Sequence, residues 1–128
     1  MKKGLTILPA LFLSLFQLSC SSVHARSGSE RVKVFELGGT APKNCTSLGD
    51  IQGDQNPLAF ATDKTLEDGA MSSLRNNAID MGANVVIITQ TRNRMAGGTV
   101  FGEKKTEVHH KGKAFKCAED ADGKPVIN

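Results

Sequence analysis

The sequence predicts a small α+β domain: a mixed or antiparallel sheet of about four strands, one principal helix packed on one face, and one disulfide as a staple. Three observations carry that prediction. Apolar residues recur every four positions at Leu66, Ala70, Leu74 and Ala78, the stripe of a single long helix. Directly after it, Ala83-Asn84-Val85-Val86-Ile87-Ile88-Thr89-Gln90 is continuous, β-branched and apolar on both faces, as an interior strand must be. Cys45 and Cys117 form an isolated pair in a chain that reads as exported.

The 128 residues suffice for one domain, and with no Trp, no Tyr and six Phe the core must be mostly aliphatic. The net charge of +3 falls to about +1 without Lys2 and Lys3. A nucleic-acid partner is not expected, because such binders cluster basic residues on one face.

Met1-Lys2-Lys3 is a short basic segment, followed by the uncharged, largely apolar run Gly4 to Leu18. That run is too short for a membrane span, which needs about 20 residues, and Pro9 interrupts it. Residues 1–19 therefore read as a secretory signal. Leu18-Ser19-Cys20-Ser21 resembles the lipobox of bacterial lipoproteins, which implies cleavage before Cys20 and acylation of its thiol and new amine. Gln17 departs from that pattern, where an aliphatic residue is usual. Ser21 after the Cys, rather than Asp, implies the outer membrane. Val23-His24-Ala25 offers a second site, and cleavage after Ala25 would discard Cys20 and release a soluble periplasmic module. Both routes stay open at this level.

Residues 20–30 read as a short, polar, lipidated tether, residues 31–118 as the folded domain and residues 119–128 as a frayed polar tail. Within the domain, Arg31 to Leu37 alternates as an edge strand, and Gly38 to Asn44 is a turn. Cys45 to Gln52 is a second short strand, with Gly49 signalling a bulge or a close backbone approach. Gly53 to Ala61 reads as loop. The helix spans roughly 64–81, with Thr65-Leu66-Glu67-Asp68 as a capping box, Asp63 as a competing cap and Gly82 as its left-handed stop. Asp68, Ser72, Arg75, Asn76 and Asp80 fall on its polar side. Thr91 to Lys105, with Gly97, Gly98 and Gly102, reads as a mobile loop. Thr106 to Cys117 is the last strand, with Ala114, Phe115 and Cys117 inward.

Removing Cys20 by lipidation or cleavage leaves Cys45 and Cys117, and in an oxidising compartment that even pair forms a disulfide. The segments around them must then lie side by side.

The remaining side chains offer little chemistry. No nucleophile elbow, phosphate cradle or zinc spacing is present, so neither a catalytic set nor a cofactor or metal is expected. His109 and His110 are strand neighbours on opposite faces and read as solvated residues. Lys104, Lys105, Lys111, Lys113 and Lys116 form a basic series interrupted by Glu103 and Glu107. Met95, Val100 and Phe101 are apolar residues around a glycine-rich loop, where exposed apolar groups mark a partner contact; folding back as strand is the alternative.

The lipobox, Cys45 with Leu48-Gly49, and Leu74-Arg75-Asn76-Asn77-Ala78 running into Met81-Gly82-Ala83-Asn84-Val85-Val86 are followed by Phe115-Lys116-Cys117. Together they resemble small bacterial outer-membrane lipoproteins related to the envelope stress sensor RcsF. The resemblance covers roughly 44–117 and implies a strand-helix-strand-strand core closed by a disulfide. The chain departs from RcsF in having one cysteine pair and no long proline-containing linker. The expectation is a non-enzymatic lipoprotein facing the periplasm from the outer membrane, held by its lipid anchor and acting through envelope protein partners, with an RcsF-like stress-sensing component as an alternative.

Overall fold

Side-chain alternation decides which face of each strand is buried, and the sheet follows from it. In this computed structural model, which describes residues 22–36, 38–97, 100 and 102–127, four strands pair in the order β1-β3-β4-β2. They are β1 (Lys33–Phe35), β2 (Cys45–Gln55), β3 (Val85–Ala96) and β4 (Lys104–Cys117), with one helix, α1 (Asp63–Asp80), between β2 and β3. β1 runs parallel to β3, whereas β3–β4 and β4–β2 are antiparallel. The sheet is mixed, the fold is α+β, and Cys45 is bonded to Cys117.

α1 lies across one face. Leu74 and Ala78 pack with Ile51, Val86, Ile88 and Ala114, and Val32 joins them from the chain before β1. A second cluster joins Leu66 and Ala70 to Ala61 and Val108. Burying a leucine such as Leu74 contributes about 1.5–3 kcal/mol, so the four-residue stripe is the main attachment of helix to sheet. The helix sits directly on β2 at Gly53, where a Cβ would lie 2.5 Å from Leu74 Cβ and 2.6 Å from Ala70 O. α1 also satisfies the outer edge of β2. Asp54 N donates to Ser73 Oγ at 3.2 Å, and Asn77 Nδ2 donates to Gln52 O at 2.8 Å. An edge strand covered in this way offers fewer free backbone groups to another chain.

On the opposite face Val85, Ile87, Phe115 and Cys117 cluster with Cys45 and Ile127. The cover comes from the C-terminal tail, which is folded back rather than frayed. Glu119 bridges to Pro125, Val126 N donates to Ala118 O at 2.7 Å, and Asp120 Oδ1 accepts from the backbone N–H groups of Asp122 and Lys124. Its polar composition hid two apolar residues, Val126 and Ile127, and an Asp able to organise a tight turn.

Other boundaries also moved. β2 runs on to Gln55, past the expected end at Gln52, because Ile51, Gly53 and Gln55 keep one buried face. The segment 91–105, expected as a loop, is mostly the arms of a β3–β4 hairpin, paired from Thr91–His110 out to Ala96–Lys104. The helix cap is Thr62, whose side chain accepts from Thr65 N at 3.2 Å, in place of Asp63 or Thr65. Gly82 supplies the left-handed stop at φ 75°.

Candidate functional site

The segment before β1 is built into the body of the domain. Asn76, on the helix side expected to be polar and solvated, is only 9% exposed because this segment covers it. Its amide bridges the backbone on either side of Ala25: Oδ1 accepts from Arg26 N at 2.9 Å, and Nδ2 donates to His24 O at 2.8 Å. The Arg26 guanidinium reaches Asn76 O at 2.7 Å and Asp80 Oδ2 at 2.8 Å. Further back, Val23 N donates to Oε1 of Gln55, a side chain 2% exposed, at 2.9 Å. Gly28, at φ 91°, then turns the chain into a 3-10 turn over Ser29–Arg31 and so into the core at Val32. Residues 22–30 are therefore a docked strap where composition predicted a flexible tether. Small polar residues read as linker, yet their backbone groups are what Asn76 and Gln55 engage. Cys20, the predicted lipidation site, lies outside the described residues.

At the other end of the sheet Cys45 and Cys117 are directly opposed in the β2–β4 register. Asn84, from the Gly82-Ala83-Asn84 passage, secures the end of β4. Its Nδ2 donates to Cys117 O at 2.9 Å and its Oδ1 accepts from Cys117 N at 2.8 Å. The quoted motifs thus acquire physical roles: Asn76 holds the strap, Asn77 the edge strand, and Asn84 the disulfide-bearing strand.

The two neighbouring histidines split between faces, and their surroundings differ in kind. His109 faces away from α1, with Nδ1 donating to Asp54 Oδ1 at 2.8 Å and Nε2 lying 3.2 Å from Glu107 Oε2. The hydrogen bond to Asp54, then that to Glu107, raises its pKa above 6.5. His110 is buried beside α1, contrary to the solvated reading. Its Nδ1 pairs with Thr91 Oγ1 at 2.9 Å, and burial lowers its pKa, partly offset by Glu67. The side of the sheet bearing His109 is an open polar groove of about 620 Å³, lined by Gln52, Asp54, Arg92, Arg94, His109 and Lys111.

The lysine series does not form one basic face. Lys105 pairs with Glu67 at 2.7 Å, Lys113 with Asp50 at 3.1 Å and Lys116 with Glu119 at 2.8 Å. Among the described residues, no group of three or more His, Cys, Asp or Glu is arranged to hold a metal ion, and no helix is long and apolar enough to cross a membrane.

Met95 and Val100 are exposed near the hairpin tip, Val100 at 82%; Phe101 lies outside the described residues. Sequence reasoning missed Phe60. It is 99% exposed and left-handed at φ 60°, a conformation that a bulky side chain rarely adopts. Its place in a loop just before the helix cap was the only available signal.

A docked N-terminal strap, a sheet with one helix and a terminal disulfide define a small, stapled α+β domain. The chain belongs to the family described as Domain of unknown function (DUF4156), which matches residues 23–117. That span opens within the strap, at Val23, and closes at Cys117. The match itself shows no relationship to RcsF-type lipoproteins. Comparisons with curated proteins and with solved structures gave no match.

Proposed function

We propose that this protein is a non-enzymatic envelope lipoprotein, anchored to the outer membrane through acylated Cys20, that presents its domain to the periplasm and acts through protein contacts. The observation that carries this reading is the strap. Cleavage after Ala25 would remove Val23 and His24, leaving Gln55 Oε1 without Val23 N and Asn76 Nδ2 without His24 O, while Arg26 N stays opposite Asn76 Oδ1. An unpaired buried polar group costs about 1–3 kcal/mol, so the soluble route strips the domain of part of its own packing. Cleavage before Cys20 keeps the strap whole. The family match includes residues 23–25, which this route retains, and the disulfide suits an oxidising compartment.

The open groove beside His109 offers mixed charges without a convergent catalytic set, which favours a contact surface over an active site. Metabolic labelling with a fatty-acid probe tests the anchor. Label on the wild-type chain should vanish in Cys20→Ala; label that persists in that variant would refute attachment at Cys20.

A further inference from the structure

We infer that the end of the domain carrying Phe60, Met95 and Val100 lies against the lipid surface, so that the anchor sets the orientation of the domain as well as its location. This rests on acylation at Cys20. Cys20 is two residues before Ser22, a separation of at most about 7 Å of extended chain. From Ser22 onward the chain is held, with Val23 N on Gln55 and the Asn76 amide on His24 and Arg26. Ser22 and Val23 line a shallow cleft with Thr65 and Asp68, in the first turns of α1. A lipid at Cys20 is therefore tied closely to the Gln55 end of the sheet and the start of the helix.

That end carries the three most exposed large apolar side chains among the described residues, Phe60, Val100 and Met95, ahead of Val126, Phe35 and Leu48 elsewhere. Phe60 follows Gln55 by five residues and precedes the Thr62 cap by two. The hairpin tip belongs to the same end. Val108 pairs with Gln55, so residues 104–107 run past the end of β2, and Lys105 is fastened to Glu67 of α1. Met95 and Val100 are carried there. At the far end are Cys45, Cys117 and Val126, separated from Gln55 by the length of β2, about 33 Å at 3.3 Å per residue. Of the basic side chains near the anchored end, Lys64 pairs with Asp68, Lys105 with Glu67 and Arg94 with Glu107, while Lys104, opposite Ala96, follows Glu103 directly in the chain. With most of that charge offset locally, the contact is chiefly apolar and only weakly dependent on salt. It also accounts for an aromatic residue held fully exposed in a left-handed turn.

The chain contains no Trp, so a single introduced Trp reports on one position. Full-length Phe60→Trp, Val100→Trp and Val126→Trp would each be purified in lipidated form and reconstituted into phosphatidylcholine vesicles with brominated acyl chains. Trp at 60 and at 100 should be quenched several-fold more than Trp at 126, with little change between low and high salt. Equal quenching at all three positions, or none, on protein whose acylation is verified by mass would overturn the inference and leave the anchor standing. Absence of acyl mass would overturn the anchor and the inference together. Val100 is exposed on the hairpin, so the probe there remains informative if substitution of Phe60 disturbs folding.

Discussion

Asn76→Ala separates the strap from the rest of the fold. The substitution removes both side-chain hydrogen bonds across Ala25, 2.9 Å to Arg26 N and 2.8 Å to His24 O, while leaving the apolar stripe of α1 intact. At a net ~1 kcal/mol each, those bonds contribute ~2 kcal/mol to docking. Alanine is the better helix former by ~0.5 kcal/mol, but that gain belongs to α1 and is felt globally, not at the strap. Undocking should therefore become ~10- to 30-fold more frequent, at 1.4 kcal/mol per tenfold, with the strap opening as a local unit. Amide hydrogen exchange is the assay. The Arg26 and Val23 amides should lose one to one-and-a-half decades of protection, while core amides such as those of Val86 and Ala114 stay within a factor of a few. Unchanged protection at Arg26 would refute the docking reasoning. Uniform loss across strap and core would show instead that Asn76 supports the whole fold.

Three further outcomes follow from the same geometry. Replacing both Cys45 and Cys117 by Ala opens a cross-link across 72 residues and should cost about 4 kcal/mol on the chain-entropy account, read as a lowered urea midpoint; an unchanged midpoint would contradict it. Gly53→Ala places a methyl against Leu74 and Ala70 and should cost ~1–3 kcal/mol through overpacking, measured by thermal melting, with a neutral effect counting against the close approach of α1. The histidines should titrate on opposite sides of 6.5 in NMR, His109 above and His110 below. The contribution of His109 is present below pH 6.5 and lost as pH rises through its raised pKa, whereas that of His110 is lost as pH falls below 6.5 toward its lowered pKa. Solvent screening at half-buried His109 keeps its share small. The reverse order of titration would undo the assignment of their surroundings.

What could be read from the sequence follows from which forces act locally. The helix was legible because Leu66, Ala70, Leu74 and Ala78 repeat at its own period. β3 was legible as far as Gln90 because Val85 to Ile88 are β-branched and buried on both sides. The pairing of Cys45 with Cys117 followed from elimination and compartment. Beyond Gln90, Thr91-Arg92-Asn93-Arg94 carries no alternation, and only pairing with β4 makes it strand. The Thr62 cap competed with two better-looking neighbours one and three residues on. The strap was hidden for a different reason: its side chains are small or polar, and its attachment is made by its backbone to Asn76 and Gln55, residues 50 and 32 positions away. Helical spacing accordingly puts Asn76 on the wet side of the helix, and nothing in the sequence signals that α1 covers His110. Phe60 carried no pattern at all, since exposure of a single aromatic is a property of the folded surface.

The most direct test is the intact mass of the protein recovered from bacteria expressing the full chain. A mature form beginning at Cys20, with the added mass of its acyl chains and two hydrogens missing for the Cys45–Cys117 bond, is what the account requires. A form beginning at Arg26 and free of lipid would contradict it, because that product lacks the anchor, the Val23 contact to Gln55 and the His24 contact to Asn76.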